Sequence, residues 1–157
     1  LKGFKSSIKE FNKNNIKVVF SGRKEPLSDK VYKSMKSLEK ETLNNTGGIL
    51  NICLNYGGQT EIVDTTKKLI NDVLDGKLKT EDITPEIFMK NLYNDLPPID
   101  FLIRTSGEIR VSNFMLFSLA YAEMYFPHTY FPDFKEDEFD KALEEYTKRD
   151  RRFGKNK

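Results

Sequence analysis

Asp100-Phe-Leu-Ile-Arg-Thr-Ser-Gly-Glu-Ile-Arg-Val-Ser-Asn-Phe-Met-Leu-Phe-Ser-Leu-Ala-Tyr-Ala-Glu-Met-Tyr-Phe126 is the stretch on which the reading of this 157-residue chain turns. Ile99–Arg104 is apolar and β-prone, follows Pro97–Pro98 and ends on a cation, so it reads as a strand. A polar loop follows. Ser112–Glu123 is then apolar on nearly all sides, as a helix buried on most faces is. Met124–Phe126 and Thr129–Phe131 are aromatic and β-prone.

The same alternation runs upstream. Leu1, Phe4, Ile8 and Phe11 recur at helical spacing as far as Asn14–Asn15, and Ile16–Phe20 is a β-branched run that stops at Ser21–Gly22. Ser28 is placed to cap a helix with Val31, Met35, Leu38 and Thr42 on one face, ended by Asn44–Asn45 and Gly47–Gly48. Ile49–Asn55 is a second strand, broken by Gly57–Gly58, and from Thr60 a helical stripe runs to Gly76. Thr84 and Pro85 start another helix, with Ile83 and Phe88 as its hydrophobic staple. Asp133, with Glu136 three residues on, opens a last helix carrying Phe139, Leu143 and Tyr146. Strands separated by helices predict an α/β layer fold with a mostly parallel central sheet. With no internal repeat or linker, residues 1–157 read as part of a single domain.

Composition narrows the function classes. Charged residues make up 32% of the chain but leave a net charge of only +2, which disfavours nucleic acid as a partner. A single cysteine excludes a disulfide framework and a Cys-rich zinc site, and suits a reducing compartment. The longest apolar stretch, Phe114 to Ala122, falls short of the roughly 18–20 residues of a membrane span. A soluble, cytoplasmic protein is expected. The chain opens at Leu1 inside a helical pattern, without an initiator Met, as a piece of a longer protein would.

Arginine usage points to the chemistry. Lysine is the generic cation here, and the six arginines are Arg23, Arg104, Arg110, Arg149, Arg151 and Arg152. Arginine kept in so few places suggests positions where a planar, bidentate fork matters, as toward phosphate. Arg104 ends a strand, where open α/β sheets bind ligands. Thr105, Ser106 and Gly107 follow with backbone amides that can turn inward, then Arg110, then Ser112 at the start of the expected helix. Two guanidiniums, a hydroxyl and a helix N-terminus describe an anion site that suits a diphosphate. The alternative is an Arg104–Glu108 ion pair with Ser112 as a mere cap. The run Lys148–Lys155 is basic, as a solvated helix end often is. Tyr56–Gln59 lies at a strand-to-helix turn, His128 in an aromatic stretch, and Cys53 reads as a core filler. Glu123, a carboxylate ending an apolar run, is either exposed there or functional.

The stretch from Asp100 to Phe126 closely resembles the C-terminal signature of the cis-prenyltransferases, the undecaprenyl diphosphate synthase family, in the spacing of Arg104, Arg110, Ser112 and Glu123. Asn55–Ile62 resembles that family's mid-chain signature, and Phe131–Phe134 and Arg151–Gly154 its closing elements. The resemblance implies a parallel sheet flanked by helices around a hydrophobic tunnel, of which this chain is an incomplete copy. It implies condensation of isopentenyl diphosphate with an allylic diphosphate such as farnesyl diphosphate, with Mg²⁺, in a cytoplasmic homodimer whose lipid product allows peripheral membrane contact. It further implies that Arg104, Arg110 and Ser112, with Val111 between them, hold the diphosphate of isopentenyl diphosphate. Glu123 is then linked to Mg²⁺, and Glu108, Arg152 and Gly154 are further site or interface residues.

The family's Asp-Gly-Asn-Gly-Arg and Ser-x-Glu-Asn segments do not occur in this chain, and Gln59 stands where the family often has Arg. The chain thus reads as the C-terminal part of the enzyme, keeping the isopentenyl diphosphate half-site and expected to be inactive alone. A non-catalytic partner subunit of a heteromeric cis-prenyltransferase is the second reading. One straight helix from Ser112 to Glu123 would also separate their ends by roughly 16 Å, too far to share one diphosphate.

Overall fold

The computed structural model describes residues 2–149, and side chains from Ser7 onward. They group into two compact units, divided between Asp95 and Leu96. No helix among the described residues is long and apolar enough to cross a membrane.

The first unit holds helix α1 (Lys2–Lys13), strand β1 (Ile16–Ser21), helix α2 (Asp29–Glu41), strand β2 (Gly48–Cys53), helix α3 (Gly58–Leu74) and helix α4 (Pro85–Lys90), with a 3₁₀ turn at Thr80–Asp82. β1 and β2 pair in parallel, in register from Ile16 opposite Gly48 to Ser21 opposite Cys53. Alternation along β1 sends Val18 and Phe20 into a core completed by Met35 and Leu38 of α2, against which Ile8, Phe11, Leu27 and Val31 pack. Ser28 caps α2 by accepting from the Val31 N–H, and Thr84 caps α4 by accepting from the Ile87 N–H with Pro85 next, both as the sequence indicates. Gly76, at φ +71°, sits in the turn after α3.

In a parallel strand the N–H and C=O of one residue face the same side, so Ile16, Val18 and Phe20 turn theirs away from β2. Side chains answer them. The Val18 N–H donates to Thr42 Oγ1 at 3.0 Å and the Phe20 N–H to Glu39 Oε1 at 3.1 Å. Asn45 Nδ2 donates to the Ile16 carbonyl and Asn94 Nδ2 to that of Phe20. Beyond β1, Gly22 comes so close to the Leu54 carbonyl that a Cβ would lie 1.9 Å from its oxygen, and no other residue fits.

The second unit holds strand β3 (Phe101–Ile103), strand β4 (Glu123–Tyr125), a 3₁₀ turn at Phe131–Asp133 and helix α5 (Glu136–Thr147). β3 and β4 are also parallel, from Phe101 opposite Glu123 to Ile103 opposite Tyr125. The Phe101 ring packs on Tyr146 of α5 at 4.9 Å between centroids.

The α/β class with parallel pairing is as expected, drawn as one two-stranded pair in each unit. Three local expectations change. Ser112–Glu123 is a series of turns rather than a helix: Ser112, Asn113 and Met115 take φ of +46°, +61° and +40°, outside the helical region. The Ser118 carbonyl, which a helix would keep for itself, accepts from the Ile99 N–H instead. The run is apolar because Leu119 is buried and Phe114, Met115, Leu116 and Phe117 are half-buried, and burial alone does not imply a helix. Thr129–Phe131 is not a strand, because Pro132 draws Phe131–Asp133 into a 3₁₀ turn. α5 is therefore capped at Lys135 rather than Asp133.

Thr42 is fully buried and its hydroxyl both accepts from Val18 and donates to the Leu38 carbonyl. Thr42→Val keeps the shape but orphans the Val18 N–H. It should lower unfolding free energy by about 1–3 kcal/mol in urea titrations. An unchanged midpoint and slope would show that this edge bond contributes nothing.

Candidate anion-binding site

The loop after β3 is built by spending its own backbone. The Arg104 N–H donates to the Tyr125 carbonyl at 2.9 Å, continuing the β3–β4 pairing by one step. Ser106 and Gly107 then turn the chain through left-handed φ values of +74° and +67°. Their N–H groups donate to the carbonyls of Thr129 and Pro127 at 2.9 and 2.8 Å. Segment 125–129 is anchored in turn, because Thr129 Oγ1 donates to Glu138 Oε2 at 2.9 Å on α5. Lys141 and Thr129 together hold the Glu138 carboxyl below its usual range, Lys141 having the larger effect.

This loop borders a cleft of about 550 Å³ lined by Arg104, Thr105, Ser106, Glu108, Val111 and Phe114, among others. Arg104 Nε is buried there and has no hydrogen-bond partner among the described residues. A shielded guanidinium N–H with no acceptor carries an unrecovered desolvation cost, and an anion with oxygens in its plane would recover it. Thr105 and Ser106, which line the same cleft, carry hydroxyl donors.

The remaining candidates are placed less uniformly. Val111 and Glu108 line the cleft, whereas Arg110 and Ser112 are not among its lining residues. Arg110 is largely exposed and its guanidinium pairs with the Glu108 carboxylate, so Glu108 takes Arg110 rather than Arg104. Ser112 starts no helix, which removes the helix N-terminus from the expected site. The Ser106 and Gly107 amides are likewise committed to carbonyls and do not turn inward. The anion-binding feature the structure does provide is the Arg104 side chain.

Glu123 begins β4 rather than ending a helix, and its carboxylate lies 3.8 Å from the Arg149 guanidinium. Among the described residues no three His, Cys, Asp or Glu side chains gather as a metal site requires. One carboxylate facing a guanidinium does not by itself fit Mg²⁺. Arg152 and Gly154 lie outside the described residues.

The first unit contains a network that the sequence did not single out. Arg23, two residues beyond β1, forks onto Asp64 of α3, Nε to Oδ2 at 2.8 Å and Nη2 to Oδ1 at 2.5 Å. The Tyr93 hydroxyl donates to the same carboxylate at 2.6 Å. The guanidinium lowers the Asp64 carboxyl to about 2, and Tyr93 is pushed up to about 12 by burial first and Asp64 second. Beside it, buried Glu61 accepts from the Tyr56 hydroxyl and, at 3.2 Å, from the Tyr93 N–H. Cys53 is pushed up to about 11 by burial, then by Glu61, so its thiol stays protonated near neutrality. The available signal is Arg23 itself, one of only six arginines and, like Arg104, placed just after a strand.

Residues 2–154 match the family model for undecaprenyl diphosphate synthase. An isoprenyl transferase of Fusobacterium nucleatum subsp. nucleatum is 49% identical, over 98% of this chain and 64% of its own length. A ditrans,polycis-undecaprenyl-diphosphate synthase ((2E,6E)-farnesyl-diphosphate specific) of Legionella pneumophila (strain Paris) is 45% identical, over 98% of this chain and 65% of its own. The chain thus spans a little under two thirds of the length of these curated relatives. A crystal structure of lavandulyl diphosphate synthase from Lavandula x intermedia, in complex with dimethylallyl diphosphate, superposes with a TM-score of 0.90 at 32% identity, covering 97% of this chain and 66% of the other.

The Arg23–Asp64 pair makes a pH-dependent prediction. The folded Asp64 titrates below its unfolded value of about 4, so its contribution is complete above pH 4 and is lost as pH falls toward 2. Asp64→Asn should melt below wild type at neutral pH, with the difference closing between pH 4 and 2. A gap that persists at pH 2 would mean that the ion pair is not its origin.

Proposed function

Because the chain belongs to the undecaprenyl diphosphate synthase family of prenyltransferases, we propose that its protein condenses isopentenyl diphosphate with an allylic diphosphate, such as farnesyl diphosphate, to make a cis-polyprenyl diphosphate. In that reaction this chain supplies the pocket for the diphosphate of isopentenyl diphosphate. The observation that carries the proposal is Arg104 Nε, buried at the cleft and without an acceptor among the described residues. Thr105 and Ser106 stand beside it, and Arg110 lies on the same loop.

Arg104 binds and orients, and its proton stays on the guanidinium throughout. Arg110 is recruited by exchanging Glu108 for phosphate oxygens, an inexpensive exchange because an exposed ion pair is worth about 0–1 kcal/mol. Val111 and Phe114 supply apolar surface in the cleft, suited to the hydrocarbon of the substrate. Glu123, set against Arg149, does not by itself fit the Mg²⁺ that the family resemblance implies, and the diphosphate is held by Arg104 and Arg110. The same reading makes the protein a cytoplasmic homodimer that contacts membrane through its lipid product.

Arg104→Ala should weaken isopentenyl diphosphate binding about 10- to 150-fold, the loss of a charge-assisted contact of about 1.5–3 kcal/mol, while the allylic substrate is held nearly as before. Substrate titrations of the enzyme, each at saturating partner substrate, measure both. Equal effects on the two substrates would remove the half-site assignment.

A further inference from the structure

The turn at Ser106–Gly107 has a neighbour that its hydrogen bonds do not explain. A Cβ built on Gly107 would lie 2.6 Å from Nδ1 of His128 and 3.2 Å from its Cε1, so the imidazole edge is packed directly over the Gly107 Cα. Gly107 is at φ +67° with its N–H on the Pro127 carbonyl, one residue before His128, and the Ser106 N–H is on Thr129, one residue after it. His128 therefore sits between the two carbonyls that hold the loop, with its ring against the one residue that has no side chain. The two backbone bonds fix where the turn attaches, and the ring of the exposed His128 lies over Gly107. Arg104 is two residues from this pinned turn.

We infer that His128 is a positioning residue for the anion site, its ring acting as a wedge over Gly107 that keeps the Arg104–Glu108 loop in binding geometry. The inference rests on the proposal that this loop binds a diphosphate. It accounts for glycine at 107 by two independent requirements, the left-handed backbone and the space taken by the ring. His128 is not among the residues that line the cleft, and its action is on the loop.

Four variants of the protein test it: His128→Ala, Gly107→Ala, the two combined, and Arg104→Ala as the control for the binding reading. Calorimetric titration with isopentenyl diphosphate, and separately with inorganic diphosphate, gives Kd for each, and thermal melts report folding. Removing the ring loses preorganisation, so His128→Ala should raise both Kd values about three- to tenfold with the melting temperature little changed. In turnover, KM for isopentenyl diphosphate should rise in parallel while kcat is kept. Gly107→Ala should be worse than His128→Ala, because its methyl group collides with the ring. The double variant should bind better than Gly107→Ala alone, because the collision is gone and only the left-handed strain remains. Arg104→Ala losing binding while His128→Ala binds as wild type would overturn the wedge and leave the binding reading standing. A double variant no better than Gly107→Ala would also overturn the wedge. Unchanged binding in Arg104→Ala would remove the binding reading, and the wedge with it. Should Gly107→Ala fail to fold, His128→Ala against Arg104→Ala still decides the question.

Discussion

Parallel pairing sends the carboxyl ends of two strands to the same side, and in each unit of this chain an arginine follows just beyond such an end. Arg23 comes two residues after β1 and Arg104 immediately after β3. The chemistry of the side chains is identical and their surroundings are opposite. Arg23 is forked onto Asp64, whose carboxyl it holds near 2, and the charge is consumed within the fold. Arg104 has a buried Nε with no acceptor among the described residues. A guanidinium that is already paired contributes to structure, while one left unpaired in a cleft creates a demand for an anion.

The economy of backbone hydrogen bonds explains why the demand falls on a side chain. Along the outer edge of β1 the groups that lack a neighbouring strand are answered by Thr42, Glu39, Asn45 and Asn94. Beyond β3 the same obligation is met by committing the Ser106 and Gly107 amides to the 127–129 segment. Those amides buy a rigid turn and are no longer available to a ligand. Rigidity and direct amide contact are alternatives for the same N–H groups, and the loop takes rigidity.

Much of this was legible in the chain itself. Ser28 and Thr84 announce their helices because a cap is a local matter of one side chain and one N–H. β1 and β2 are visible because their β-branched runs are bounded by Asn and Gly. Ser112–Glu123 misleads because periodicity cannot separate a buried helix from buried turns, and of its left-handed residues only Asn113 is of a type that favours that region, while Ser112 and Met115 carry no such signature. Arg104 stands out as a candidate anion ligand from its place at a strand end. That its Nε has no partner among the described residues, and that Glu108 takes Arg110 instead, depends on the loop's tertiary closure. The Arg23–Asp64–Tyr93 network spans 70 positions of sequence and has no local pattern at all.

If Arg104 Nε–H is the donor to an anionic oxygen of the diphosphate, arginine-selective ¹⁵N NMR observes that proton directly. With the resonance assigned by its loss in Arg104→Lys, titration with isopentenyl diphosphate should move it downfield in a saturable way, as a charge-assisted bond forms. The Arg23 signal, already bonded to Asp64, should stay in place. An Arg104 Nε–H that does not respond while isopentenyl diphosphate binds would place the diphosphate elsewhere and contradict the account.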